Sequence, residues 1–284
     1  MSKGHVIFAQ NSDVNYLRQA YALALSIKLH NKINQVCVIT NDKVPEHYKK
    51  VFDYIVEIPW NDEAKDSVWK IENRWKIIYV TPFKENLVYD SDMLLLNSND
   101  HWWNVLKNKD VVLSSNVFNY RGNKITSNYY RQSFEENKLP NTYFGLHYFK
   151  KNESSFEFYK WLEILTKNYQ TFYQKFCPST QQTWASMDVS SALILKILDV
   201  EEQCTLKTLS IPTFTHMKPA LQDWSLLPFS WYDTVSSVFT DQCELKIGNI
   251  LQNGVFHYVE DEFLTHEIIQ KLENKLKKNA EEKI

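Results

Sequence analysis

Two carboxylates stand two residues apart inside an apolar run, Tyr89-Asp90-Ser91-Asp92-Met93-Leu94-Leu95-Leu96. Burying charge in such a frame is costly unless something pairs with it. In an extended chain, residues two apart point to the same side, so Asp90 and Asp92 can address one point. Two carboxylates converging there suit a hard divalent cation, Mn²⁺ or Mg²⁺. Such a cation can neutralise a diphosphate and help it depart. A bare D-x-D is common by chance, and the plainer alternative is a surface turn carrying two acids. The apolar residues on both sides favour the metal.

The elements that must position this pair follow from the hydrophobic pattern. Val6 to Ala9 and Val36 to Thr40 are short apolar runs, which predict strands buried on both faces. Between them Leu17, Ala20, Tyr21, Ala24, Leu25 and Ile27 have helical spacing, with Ser12 or Asp13 as candidate cap. A short helix around Pro45 to Phe52 leads to a strand at Tyr54 to Pro59. A helix over Arg74 to Val80 stops before Pro82, and Asn86 to Tyr89 runs into the acid pair. Strands alternating with helices imply parallel pairing through right-handed crossovers. Asp90 and Asp92 then fall at the carboxyl end of a central strand, where open α/β sheets bind ligands. Further on, Val111 to Leu113, Phe144 to Phe149 and Gly254 to His257 predict strands. Ser154 to Tyr169, Ser186 to Leu198 and Thr265 to Lys278 predict helices, and the stretch from Pro212 to Phe229 is rich in loops. With no repeat and no linker, a single domain over residues 1–284 is expected, residues 262–284 forming a C-terminal amphipathic helix.

Composition narrows the classes. Of 284 residues 44% are hydrophobic and 23% charged, the formal net charge is -2, and only 5 are Gly and 8 Pro. That is globular, with no basic field for nucleic acid. No apolar run approaches the ~20 residues of a membrane span, and the first residues are too short for a secretory signal. Cys37, Cys177, Cys204 and Cys243 are widely and irregularly spaced, which favours reduced thiols and a cytoplasmic setting.

The acid pair in its frame resembles that of GT-A fold glycosyltransferases, especially the glycogenin-like and galactosyltransferase-like members of family 8. Those enzymes open with a strand, a loop containing Asn or Asp and a Tyr, and a helix; the counterpart is Phe8-Ala9-Gln10-Asn11-Ser12-Asp13-Val14-Asn15-Tyr16. The resemblance implies that Phe8, Ala9, Gln10 and Asn11 border the nucleotide base and that Tyr16 stacks on it. Arg74 takes the place of the basic residue before the acid pair, with Lys76 a second candidate; Trp69 and Trp75 hint at a shaped site around it. Asn141-Thr142-Tyr143-Phe144-Gly145 is similar to the family's Asn-x-Gly strand beside the sugar. Ser186-Met187-Asp188-Val189 matches its Asp-Gln helix start, with Val where the family has Gln. Catalytic roles for Asp188 and Asn141 follow, and donor contacts for Ser91 and Gly145. The family completes its metal shell with a late His. Here two stretches compete: Gly254-Val255-Phe256-His257 has the form and the position, whereas Thr215-His216-Met217-Lys218-Pro219 has a Lys-Pro. His257 is the favoured third ligand beside Asp90 and Asp92, and His216 and Lys218 are assigned to the phosphate or acceptor side.

The implied fold is α/β, a Rossmann-like mixed sheet flanked by helices. The implied activity is a Mn²⁺- or Mg²⁺-dependent transfer of a hexose from a nucleoside-diphosphate sugar, UDP-glucose or UDP-galactose, with retention. The acceptor is open, and residues 116–141 are where acceptor loops would lie. A sugar nucleotidyltransferase is disfavoured because Ala9 to Tyr16 lacks the usual Gly-rich phosphate loop. A haloacid-dehalogenase phosphatase needs its acids after the first strand. A non-catalytic carbohydrate-binding protein on the same fold is the remaining alternative.

Overall fold

The computed structural model describes residues 2–67, 70–125, 131–179, 182–206, 208–222 and 230–282. Trp69, residues 126–130 of the expected acceptor region and residues 223–229 of the expected loop lie outside them. In chain order the elements are β1 (Lys3–Phe8), α1 (Tyr16–His30), β2 (Val36–Ile39), α2 (Glu46–Lys49) and β3 (Tyr54–Val56). A 3₁₀ turn, Arg74–Lys76, runs into α3 (Ile77–Val80), then β4 (Glu85–Asp90), β5 (Met93–Leu95), α4 (Trp102–Leu106) and β6 (Val111–Ser114). There follow α5 (Gln132–Glu136), β7 (Tyr143–Lys150), α6 (Glu153–Lys167), α7 (Tyr169–Phe176), α8 (Met187–Leu198) and α9 (Glu201–Cys204). Last come β8 (Thr215–His216), α10 (Trp231–Thr234), β9 (Ser237–Phe239), β10 (Leu245–Ile247), β11 (Ile250–Leu251), β12 (Val255–His257) and α11 (His266–Glu281).

The main sheet has the order β3-β2-β1-β4-β7-β6. Its first four strands pair in parallel. β7 runs antiparallel to both neighbours, so the sheet is mixed rather than all parallel. Along the strands alternate residues enter opposite cores. Ile7, Val36, Val38, Leu87 and Tyr89 pack with α1 and α11 on one face. Val6, Phe8, Cys37, Ile39 and Val88 pack with α6 and α8 on the other. Both faces are covered, which is why the strands read as continuous apolar runs.

Helix starts follow side-chain chemistry. The side chain of Asn15, not of Ser12 or Asp13, caps α1 by accepting from the Arg18 N–H at 2.9 Å. Asn15 directly precedes the first helical residue, the position from which a side chain reaches the second or third free N–H. Asn152 and Ser155 form a reciprocal capping box at α6, and Ser186 caps α8 as expected. Two small sheets, β5-β12-β8 and β11-β10-β9, complete the chain. α11 closes on α1, with Leu272 buried and Glu273 accepting from the Tyr21 hydroxyl at 2.6 Å. All four cysteines are free and buried; burial pushes the Cys37 thiol up to about 12. Among the described residues no helix is long and apolar enough to cross a membrane.

Candidate active site

The strand order reverses direction between β1 and β4, since β2 and β3 lie on one side and β7 and β6 on the other. Such a switch point leaves a crevice beyond the carboxyl ends of the two strands. β1 ends at Phe8, paired with Asp90, the last residue of β4. The acids do not converge by extended alternation. Ser91 and Asp92 form a turn, and the chain then enters β5 in a different sheet. The turn carries Asp92 back toward Asp90, held by a hydrogen bond from the Ser91 hydroxyl to Gln19 Oε1 at 3.0 Å.

The second sheet brings in the histidines. β12 pairs antiparallel with β5, setting His257 opposite Met93, and the Tyr258 N–H donates to the Asp92 carbonyl at 3.1 Å. His257 Nε2 then lies 2.9 Å from Asp92 Oδ2. Asp90, Asp92 and His257 each offer one donor atom, all within 4.8 Å of one another. His216 is paired with His257 across β8 and stacks on it, with ring centres 4.6 Å apart and planes 5° from parallel. Of the two competing histidines, His257 joins the acids and His216 backs it.

The electrostatics are those of an acidic pair that gathers cations. Burial pushes the Asp90 carboxyl up, but the Arg74 guanidinium, in direct contact with it, and His257 together hold it below the usual range. Burial pulls the His257 imidazole down, and the charge and hydrogen bond of Asp92, with Asp90 beyond, more than reverse this. His216, buried and facing His257, Lys218 and Arg131, is held far below its usual value and is neutral. With His257 Nε2 this close to Asp92 Oδ2, the ring and the two acids are the residues that would hold a divalent cation here. Two carboxylate oxygens and one imidazole nitrogen, converging within one ion's reach, fit a divalent cation.

The crevice is a cleft of about 310 Å³. Phe8, Gln10, Tyr16, Arg74, Asp90, Ser91, Asp92, Gly145, Asp188, His216, Lys218 and His257 line it. Ala9, Asn11 and Asn141, expected to touch the donor or the reaction, are not among its described lining. Ala9 is fully buried. Asn11 Oδ1 accepts from the Leu17 N–H at 2.9 Å, bracing the start of α1. Lys76 is also removed from the cleft: its ammonium is buried against the Asn61 carbonyl and Asn73 Oδ1.

Asn141 instead supports Asp188 through Arg131. The Arg131 side chain is 2% exposed and lies between two rings, its guanidinium carbon 3.6 Å from the centre of Phe134 and 4.1 Å from that of Tyr143. It donates to Asn141 Oδ1 at 2.9 Å, to the Thr142 carbonyl at 2.6 Å and to Asp188 Oδ2 at 2.7 Å. Asp188 Oδ1 accepts from the Phe144 N–H at 2.7 Å. Asp188 is thus fixed on both oxygens at the start of α8, where the helix dipole also favours its charge. Gly145 completes the wall, because β7 runs against β4 and a side chain at 145 would meet the Asp90 carboxylate.

The sequence reading missed Arg131, which sits between polar residues that look solvated, and Gln19 and Asp261, which line the cleft and bond to each other at 3.0 Å. The one signal for Gln19 was a polar residue inside an otherwise apolar helix. Lys70 also lines the cleft, its ammonium donating to the Ala64 and Lys65 carbonyls at 2.8 and 2.6 Å.

No family model matches the chain, and no curated protein does. Solved structures do. The apo form of the glycosyltransferase GlyE from Streptococcus pneumoniae TIGR4 aligns over 100% of this chain at 12% identity with a TM-score of 0.52. This chain spans 64% of that protein. The galactosyltransferase LgtC in complex with donor and acceptor sugar analogs aligns over 97% of this chain and 95% of its own, at 11% identity and a TM-score of 0.51. An active-site mutant of LgtC aligns at 13% identity over 95% of each chain, also with a TM-score of 0.51. At such identities the likeness is one of fold: the chain has the GT-A fold, a mixed sheet flanked by helices.

Proposed function

We propose that this chain is a glycosyltransferase that takes a hexose from UDP-glucose or UDP-galactose and passes it to an acceptor with retention of configuration. The observation that carries the reading is the convergence of Asp90, Asp92 and His257 beyond β1 and β4. These three would hold Mn²⁺ or Mg²⁺, whose chemistry there is to offset the charge of the leaving diphosphate. LgtC, a galactosyltransferase solved with donor and acceptor sugar analogs, shares the fold that builds such a cleft.

The chain's own groups divide the remaining work. Phe8, Gln10 and Tyr16 border the end of the cleft at β1 and take the base, Tyr16 by stacking. Arg74 and Lys218 add fixed positive charge where negative charge develops on the departing diphosphate. Asp188, immobilised by Arg131 and the Phe144 N–H, orients hydroxyls of the donor sugar. All of this lies in one domain to which α11 belongs, and four reduced, buried cysteines support a cytoplasmic setting.

A donor-hydrolysis screen over nucleotide sugars with Mn²⁺ tests the reading. Wild-type protein should hydrolyse a UDP-hexose slowly, and Asp92→Asn should lose at least about a hundredfold of that rate. Equal hydrolysis by Asp92→Asn would move the chemistry to another site, and no hydrolysis of any nucleotide sugar would favour a non-catalytic role.

A further inference from the structure

The three converging donors come from two segments remote in sequence: the turn at Asp90, Ser91 and Asp92, and His257 at the end of β12. One side chain reaches both. Gln19 lines the cleft from α1, 1% exposed among the buried Ala20, Leu23, Ala24 and Ile27. Its amide is satisfied in one orientation. A carboxylate only accepts, so Nε2 faces Asp261 and donates to Oδ1 at 3.0 Å. Oε1 then accepts at 3.0 Å from the hydroxyl of Ser91, itself buried between the two acids. Asp261 follows shortly after His257, and the chain between them is held at both ends. The Tyr258 N–H donates to the Asp92 carbonyl at 3.1 Å. Val259 comes next with φ at +66°, a left-handed conformation that a β-branched residue adopts only where its surroundings impose it. Beyond Asp261, the neighbouring Arg18 of α1 donates to the Leu264 carbonyl and stands 3.9 Å from the Asp261 carboxylate. Two consecutive residues of α1 thus grip the chain that leaves His257.

We propose that Gln19 and Asp261 are positioning residues for the divalent cation: the Gln19 amide fixes the Asp90–Asp92 turn and the His257 segment relative to each other, so the donor atoms stand converged before a cation arrives. The inference rests on the cation reading of Asp90, Asp92 and His257 and adds the residues that hold that set in shape. An apolar side chain at position 19 would fill the same space but leave the buried Ser91 hydroxyl without its acceptor. The turn would then rotate to find a partner, and the segment from Tyr258 to Asp261 would lose its tether to α1. Donors held in place by their supporting bonds need no ordering when the ion binds, so loosening both segments costs affinity. A role in packing alone would lower stability and leave cation affinity as it is.

The test measures Mn²⁺ affinity by electron paramagnetic resonance, and stability by urea unfolding, for wild type, Gln19→Met, Asp261→Ala and Asp261→Asn. Gln19→Met keeps the bulk of the side chain and removes both bonds. The two Asp261 variants lose the same charge, but only Asp261→Asn keeps an oxygen for the Gln19 amide. Their difference therefore separates the bond from the field of the carboxylate. Gln19→Met is expected to weaken Mn²⁺ binding about tenfold, and Asp261→Ala to bind at least about threefold more weakly than Asp261→Asn. Unchanged Mn²⁺ affinity in folded Gln19→Met, or equal affinities in the two Asp261 variants, would overturn the positioning role whatever the urea midpoints do. If Gln19→Met does not fold, the Asp261 pair decides, since that side chain is 37% exposed. Wild-type protein that binds no Mn²⁺ would instead remove the cation reading beneath the inference.

Discussion

Gly145→Ala probes the acid pair without substituting either acid. Gly145 lies one residue beyond the Tyr89–Leu146 pair of the β4–β7 ladder, against Asp90. A Cβ built there would strike Asp90 Oδ2, stand 3.1 Å from its Cγ and touch Met93 Cε at 3.4 Å. The methionine tip can swing aside, but the carboxylate is held by Arg74 through its other oxygen. It must therefore rotate, weakening the Arg74 contact and turning away from Asp92 and His257. Overpacking of this kind costs roughly 1–3 kcal/mol. The lower end is expected, because separating two adjacent carboxylates relieves repulsion. The larger effect falls on the cation: displacing one of three donors should weaken Mn²⁺ binding about 10–100-fold. Electron paramagnetic resonance of free Mn²⁺ gives the affinity, and urea unfolding gives the stability. Unchanged Mn²⁺ affinity in a folded Gly145→Ala protein would refute the reasoning. A loss of more than about 4 kcal/mol would show that the glycine serves packing instead.

The two histidines should separate cleanly. His257→Gln should lower Mn²⁺ affinity at least about tenfold, whereas His216→Gln should change it less than about threefold, and the reverse order in the same titration would exchange their roles. Arg131→Met leaves the Asp188 carboxylate without its main partner and should cost about 3 kcal/mol in urea unfolding, the low end for a broken buried pair because Asp188 is partly exposed; a cost under about 1 kcal/mol would contradict the support role. Acid should destabilise the metal-free fold. Burial lowers His5 and His147 from 6.5 to about 4, so both are neutral when folded and take up a proton only after unfolding between those values. Their stability contribution is complete above about pH 6.5 and is lost as the pH falls toward about 4, roughly 3 kcal/mol for each. His257, raised by Asp92 and Asp90 against its burial, acts in the opposite sense, adding stability at low pH that is lost as the pH rises through its folded value. Urea midpoints that stay flat from about pH 7 to pH 5 would contradict this balance of histidines.

The residues that fix the sheet were legible because β1, β2 and β4 are buried on both faces, so their apolar runs are unbroken. The acid pair was legible for a related reason, as charge set into such a run. Its geometry was not: two acids in an extended strand and two acids at a strand-to-strand turn have the same spelling, and only the β5–β12 register decides where Asp92 goes. That register joins residues 93 and 257, a pairing with no local signature. His257 could be favoured from its late apolar strand, yet its stacking on His216 depends on β8, two residues long and too short for any pattern. β9, β10 and β11 escaped notice for the same reason. Asn141 was placed beside the reaction by the resemblance of its stretch to the family's Asn-x-Gly strand, whereas its side chain turns to Arg131. Arg131 carried no signal, since a guanidinium buried between two rings is spelled like one in water.

One electrostatic claim underlies the rest: Asp90, Asp92 and His257 together gather a divalent cation that receives a nucleotide's diphosphate. Calorimetric titration of UDP into the protein, with and without Mn²⁺, tests it most directly. The prediction is saturable UDP binding that requires Mn²⁺ and disappears in Asp90→Asn with Asp92→Asn. UDP binding of equal strength without the metal, or undiminished in that double variant, would contradict it.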